Sequence, residues 1–425
     1  MTVGHAVVVL GAVLLAAYGG RAAARRLGQP PVVGEIAVGL LLGLALLTAP
    51  GPLARDVVLP GQVMDLVHLV GQAGLALFIV GVAHELRLDR EALRDRAVGW
   101  VTVGALVPSA LAGALLGGVV LWTGRSELRG DAPPAAFILL MTIALAVSAV
   151  PVLARILVDR GLSATRTGRL AITAAVAVDA VAWLLLAVVA GIVKGGAGGV
   201  VVAAGIVVVG LTVALLVRRL LTAPRVLAGC ARAPRSVGVV IAGCALGAAA
   251  AAESWGLTAV FGAFVVGLAI PTGPEGARWG LPAGMVSRVG GWLMPVFLVQ
   301  TGLTMWTASA SVPLPVVLVT AVAATVLAVL AKIGGGYVLA RRGGEPRVTA
   351  VRLGVLLNTR GLTEIAVLQA GYSLGVLTPV LYLALVVMAL TTTAMTGPLL
   401  SLIDRPGRVP VPALRVSASE RSASW

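Results

Sequence analysis

The sequence predicts an all-α polytopic membrane protein of about thirteen transmembrane helices, and three observations carry that prediction. Only 12% of residues are charged, against roughly 25% in soluble domains, and mean hydropathy is +1.03. Apolar runs of about twenty residues recur from one end of the chain to the other. The arginines cluster in every second interval between those runs.

The runs lie near 3–20, 32–49, 63–83, 97–122, 134–154, 170–191, 199–217, 236–252, 256–270, 286–303, 313–340, 350–373 and 378–403. The eighth and ninth are the closest pair, separated by Glu253–Trp255 alone. The first has no basic residue ahead of it, and Arg21, Arg25 and Arg26 follow it, so it reads as a retained span with its N-terminus outside rather than a cleaved signal. Further arginines fall at 84–96 (Arg87, Arg90, Arg94, Arg96), 155–169 (Arg155, Arg160, Arg166, Arg169), 218–235, 341–352 and in the tail, whereas the intervening loops hold Arg55, Arg125, Arg129 and Lys194. That alternation predicts an outside N-terminus, a cytoplasmic C-terminus and an odd number of spans. It also accounts for the net charge of +15 without a nucleic-acid partner.

Residues 1–403 are expected to form one membrane transport domain: repeat one over about 1–191, a linker helix at 199–217, and repeat two over about 236–403. KGGAGG at 194–199 reads as a flexible external turn. Residues 404–425, rich in Ser and Arg, are expected to be a short disordered cytoplasmic tail. Cys230 and Cys244 suggest neither a disulfide nor a metal site, and His5, His68 and His84 are scattered. No Ser–His or metal-ligand cluster suggests an enzyme, and no cofactor is expected.

The informative residues are the ionisable ones at depth: Glu35, Asp179, Lys332, Arg360 and Glu364. A charge at a helix centre costs about 2.5–3.5 kcal/mol on insertion scales, so such groups face a bundle interior or a cavity and point to a substrate or proton path. Each also has a plainer explanation. Glu35, after PPVVG, could be a helix-end residue touching headgroups or loop amides. Arg360 and Glu364 are spaced i,i+4 and could simply neutralise each other. Lys332 could snorkel. Asp179 is different: it sits in the middle of ITAAVAVDAVAWLLLAVVAG, is too short to snorkel, and has no basic neighbour in sequence.

Two apolar runs are also interrupted. AVSAVPVLARIL carries Pro151 after Val150, and a proline removes a helix hydrogen bond and clashes with the preceding turn. LNTRGL carries Asn358, Thr359 and Gly361. Alone, either would be an ordinary kink or a polar packing patch. With spans 1–6 and 8–13 taken as halves around span seven, however, the interruption is the fifth helix of each half, and the halves have opposite topology. Corresponding interruptions in two halves are the best sequence pointer to a transporter binding site.

At these residues the chain resembles the second family of monovalent cation:proton antiporters, which includes bacterial sodium/proton and potassium-efflux antiporters and plant and fungal potassium/proton exchangers. The resemblance runs through QPPVVGEIAVGLLLG (29–43), LALFIVGVAHEL (75–86), VPVLARILVDRGLSATRTGRLAITAAVAVDAVAWLLLA (150–187), LTAVFGAFVVGLAIP (257–271), LMPVFLVQTGL (293–303) and LNTRGLTEIAVLQAGYSLGVLTPVLYLALVVMALTTTAMTGPLL (357–400). It implies an inverted repeat with two crossed discontinuous helices, a homodimer in the plasma membrane, and sodium or potassium exchanged for protons. The family's ion-binding aspartate falls on Asp179, its broken-helix hydroxyl on Ser148, where Thr is more usual, and its membrane lysine on Lys332. Charge-moving members carry two adjacent aspartates where this chain has Val178–Asp179. That departure points to electroneutral exchange, with Lys332 pairing with Asp179 itself or stabilising helix C-terminal carbonyls. Two rival classes are a sodium-coupled organic-anion symporter of related inverted-repeat fold, which needs a larger polar cavity, and a non-transporting membrane sensor, which the midplane acid argues against.

Overall fold

The computed structural model describes residues 3–29, 31–48, 61–85, 95–163, 165–255, 257–273, 276–308 and 314–404. Among them no β-strand occurs, only an isolated bridge between Arg129 and Leu377. The expected tail beyond Asp404 and the arginines at 87, 90 and 94 lie outside the described residues.

The first half contains α1 (Val3–Arg26), α2 (Pro31–Thr48), α3 (Gly61–Glu85), α4 (Arg96–Thr123), α5 (Pro134–Ala146), α6 (Val150–Asp159) and α7 (Arg166–Gly196). Local chemistry sets several of these ends. Asp95 caps α4 by accepting from the Ala97 N–H at 2.9 Å, and Gly124, at φ 61°, closes it. Thr165 caps α7 by accepting from the Gly168 N–H at 3.1 Å. At the expected KGGAGG turn, Gly195 and Gly196 leave helical geometry and separate α7 from α8 (Gly198–Leu221).

The second half continues with α9 (Pro224–Arg232), a short helix inside an interval read from sequence as a loop, then α10 (Pro234–Ser254), α11 (Ala259–Ala269), α12 (Gly280–Ala308), α13 (Leu314–Arg342), α14 (Arg347–Leu357), α15 (Leu362–Ser373) and α16 (Pro379–Ile403). Nine of the described helices are long and apolar enough to cross a membrane. The other expected spans fall on α2, on the pairs α5–α6 and α14–α15, and on α11. The 11 residues of α11 reach about 16 Å at 1.5 Å per residue, roughly half of a ~30 Å hydrocarbon core.

The helices pack in two groups. In one, α12 lies along α2 and α3, and α11 joins α3 to α10. In the other, α4 packs on α5, α7 and α13, and α13 on α16. Small residues permit the closest approaches: a Cβ at Gly113 of α4 would collide with the Met141 carbonyl oxygen of α5. The outer surface is apolar. Along α8, Val201, Val208, Val209, Leu215 and Leu216 are all exposed, as a face solvated by lipid requires. Charged pairs collect at the helix ends, where Arg166 bridges Asp95 (3.1 Å) and Glu345 (2.9 Å) and Arg352 meets Asp404 (2.6 Å).

Candidate functional site

The interruption of the fifth expected span lies at Val147–Ala149, just upstream of the Val150–Pro151 pair to which the sequence assigns it. Pro151 explains the offset. A helix running through Val147 would press the proline ring against the Val147 carbonyl, whereas at the second position of α6 the missing N–H is one of the first-turn donors that need no partner. The second interruption lies at Asn358–Gly361, within the expected NTRG run.

The two interruptions meet. The Ala149 N–H donates to the Thr359 carbonyl at 3.1 Å, and Ser148 Oγ donates to the Leu357 carbonyl at 3.0 Å. Gly361 permits this approach, because a Cβ there would stand 2.8 Å from Val152 Cγ2 and 3.2 Å from Ala149 Cβ. Gly361→Ala is therefore expected to destabilise the protein by about 1–3 kcal/mol through overpacking, and Val152→Ala in the same chain should recover part of the loss. Thermal unfolding of the three variants in detergent checks this; a Gly361→Ala protein that melts with the wild type contradicts it.

Helix ends inside a membrane leave carbonyls that water cannot reach. At the C-terminus of α5 each is satisfied. The Val147 N–H donates to Ile143 O at 3.0 Å. Arg360 donates from Nη1 to Ala144 O and from Nη2 to Leu145 O, both at 2.6 Å. Lys332 Nζ donates to Ala146 O and, at 3.0 Å, to Val147 O. Two cationic side chains thus cap the negative end of one half-helix dipole. Of the two roles open to Lys332, the structure displays the carbonyl-capping one. Lys332 is wholly buried, which removes snorkelling, and it sits in a π-helical turn, Leu330–Gly334, that the sequence does not announce.

Arg360 and Glu364 do form the i,i+4 pair, at 2.8 Å and fully buried, but Arg360 also reaches across to the two α5 carbonyls. On the far side of the break, Thr393 of α16 accepts from the Arg360 N–H at 3.0 Å and donates to its carbonyl at 2.6 Å, while Thr359 and Thr396 hydroxyls lie 3.4 Å apart. Sequence reasoning passed over Thr392, Thr393 and Thr396. Their signal is hydroxyls at helical spacing within a buried apolar helix.

Asp179, on α7, is 1% exposed. Its Oδ1 accepts from the Ser148 N–H at 3.3 Å, with the Val150 N–H beside it, so the carboxylate faces the positive end of α6. Its Oδ2 has no hydrogen-bond partner among the described residues, and the same holds for both polar atoms of Asn358, which is itself fully buried. Ser148 touches both Asp179 and the second interruption. Glu35 stands apart from this cluster. It bonds Arg21 of α1 at 2.5 Å, and among the described residues the hydrogen bonds of Asp179, Ser148, Lys332 and Arg360 do not include it.

A helical membrane protein whose two interrupted helices meet beside a buried carboxylate has the architecture of a secondary transporter. The chain belongs to the sodium/hydrogen exchanger family, whose transmembrane region it matches over residues 10–403. It is 30% identical over 384 residues to the Na+/H+ antiporter NhaS4 of Synechocystis sp., an alignment covering 88% of this chain and 91% of that protein. It is 30% identical over 398 residues to cation/H+ antiporter 17 of Arabidopsis thaliana, covering 90% of this chain but 46% of that one, so it spans about half the length of this plant relative. The fold matches that of the sodium proton antiporter MjNhaP1 from Methanocaldococcus jannaschii at pH 8 with a TM-score of 0.62, at 15% identity and over 95% of this chain and 96% of that one.

Proposed function

We propose that this protein exchanges a monovalent cation, sodium or potassium, for protons, the two competing for Asp179 as the site opens to each side of the membrane in turn. The observation that carries the reading is the half-satisfied Asp179: one oxygen held by the end of α6, the other without a partner among the described residues, in a buried site. A buried acceptor left unpaired costs about 1–3 kcal/mol or more, which a bound proton or hard cation offsets. A carboxylate that holds one guest at a time couples two flows without needing a second site. Ser148 and the backbone oxygens freed at the interruptions are the further ligands we assign.

Lys332 and Arg360 serve as fixed counter-charges for the α5 end, and Glu364 balances Arg360. A single acid exchanging one cation for one proton moves no net charge. We extend the reading to a homodimer in the plasma membrane with an external N-terminus and a cytoplasmic C-terminus; the arginine alternation supports the orientation. The test is proton flux in proteoliposomes driven by a sodium or a potassium gradient, with and without an imposed voltage. The expected result is cation-driven flux that voltage leaves unchanged. Flux that follows voltage overturns electroneutrality, and a lack of response to either cation overturns the exchange.

A further inference from the structure

A groove of about 450 Å³ runs between α10 and α12, on helices that carry neither interruption. Its walls are largely apolar, with Val239 and Ala242 on α10 and Met285, Val289 and Trp292 on α12. Val239, Val289 and Trp292 are exposed, so the groove opens onto the outer surface of two membrane-spanning helices. Two cations share it. Arg235 stands in the first turn of α10, and Arg288 stands about 12 Å past the start of α12, at 1.5 Å per residue. A Cβ at Gly238 would lie 3.6 Å from the Pro282 carbonyl oxygen, so the two helices begin at one level, on the arginine-rich side of the chain. Arg288 Nε donates to the Gly284 carbonyl at 3.1 Å, which folds the side chain back one turn toward Arg235 and leaves its Nη groups for another acceptor.

Charges within spans almost always face a bundle interior or a cavity. Arg288 does the opposite: it lies exposed on an outer stripe with Leu281, Val289 and Trp292. Its own helices offer it no counter-charge, because α12 contains no Asp or Glu and the single acid of α10, Glu253, is at the far end. Among the described residues neither arginine joins an ion pair. A second copy docked on the same patch would bring the same arginines face to face. A phospholipid supplies both missing parts. Guanidinium forks match phosphate oxygens in pairs, and an acyl chain covers the exposed valines and Trp292. Two cations also favour a headgroup of net negative charge over a zwitterionic one. We propose that this groove binds an anionic phospholipid, with its phosphate between Arg235 and Arg288 and one chain lying past Val239 and Val289. The site stands apart from the exchange reading, and its test measures binding rather than flux.

The purified full chain in a neutral detergent is titrated by calorimetry with dioctanoyl phosphatidylglycerol. Dioctanoyl phosphatidylcholine and inorganic phosphate are the controls. Saturable binding of phosphatidylglycerol, at least about tenfold tighter than either control, is expected. In Arg235→Gln with Arg288→Gln it should weaken at least about tenfold, because two charge-assisted contacts are gone. Ala242→Phe fills the groove while keeping both arginines, and it should weaken the lipid as well. Arg235→Lys with Arg288→Lys should retain part of the affinity. The lipid-free melting temperature of the glutamine variant should match the wild type, since both side chains are exposed; if it falls, Ala242→Phe decides alone. The proposal is overturned if either control binds as tightly as phosphatidylglycerol, if the glutamine variant binds it like the wild type, or if Ala242→Phe leaves the affinity unchanged. A glutamine variant that changes oligomeric state yet keeps its lipid affinity marks the patch as a contact between copies, which also overturns it.

Discussion

Asp179→Asn is expected to reduce cation-driven proton flux in proteoliposomes to the level of empty vesicles while the protein still inserts and folds. The substitution preserves shape, and the amide oxygen still accepts from the Ser148 N–H that Oδ1 meets at 3.3 Å. What it removes is the ability to take up a proton and the negative charge that holds a cation. Stability should stay level or rise, because an isolated buried charge is costly and a neutral amide is less so. Two measurements decide the case together: pH-dye flux in vesicles, and the melting temperature of the same preparation. Wild-type flux from Asp179→Asn sinks the assignment, whereas lost flux with a collapsed melting temperature moves the residue to a folding role.

Arg360→Leu is expected to have the largest effect on stability. It strands the carbonyls of Ala144 and Leu145, which its two Nη groups meet at 2.6 Å, and it leaves Glu364 buried without its 2.8 Å partner. Removing one member of a buried ion pair costs about 3–5 kcal/mol. Because the uncompensated carboxylate contributes much of that, Arg360→Leu with Glu364→Leu should be more stable than Arg360→Leu alone, yet still below wild type because the two carbonyls stay unpaired. Detergent melting curves of the single and double variants separate the two contributions. If Arg360→Leu melts like the wild type, the capping role is wrong; if the second substitution brings no recovery, the charge on Glu364 is not what the first one exposed.

Much of this arrangement is legible in the chain. Asp179 stands out because it is the one charge in a run of twenty residues, and a charge in that setting has few structural uses. The interruptions stand out because Pro151 and the Asn358–Gly361 run break a pattern that is otherwise continuous. The site of the first break is displaced, however: proline excludes helix upstream of itself rather than at itself, so the gap opens at Val147–Ala149. Glu35 resembles Asp179 as an acid near an apolar run, yet its partner, Arg21, lies on a different helix, 14 residues away. Nothing in local spacing distinguishes an acid with such a partner from one without.

By itself, the sequence determined the solvent, the helical class, the charge asymmetry of the two sides and the identity of the residues that do not belong in a bilayer, because each of these is a local or compositional property set by transfer free energy and backbone chemistry. Only the tertiary structure decided which carbonyls Lys332 and Arg360 cap, that a π turn surrounds Lys332, that Thr393 secures the second break, and that one oxygen of Asp179 meets no partner among the described residues. Those outcomes depend on which buried donors meet which acceptors between segments as much as 216 residues apart, and hydrogen-bond satisfaction across a packed bundle is a property of the assembled helices rather than of any one of them.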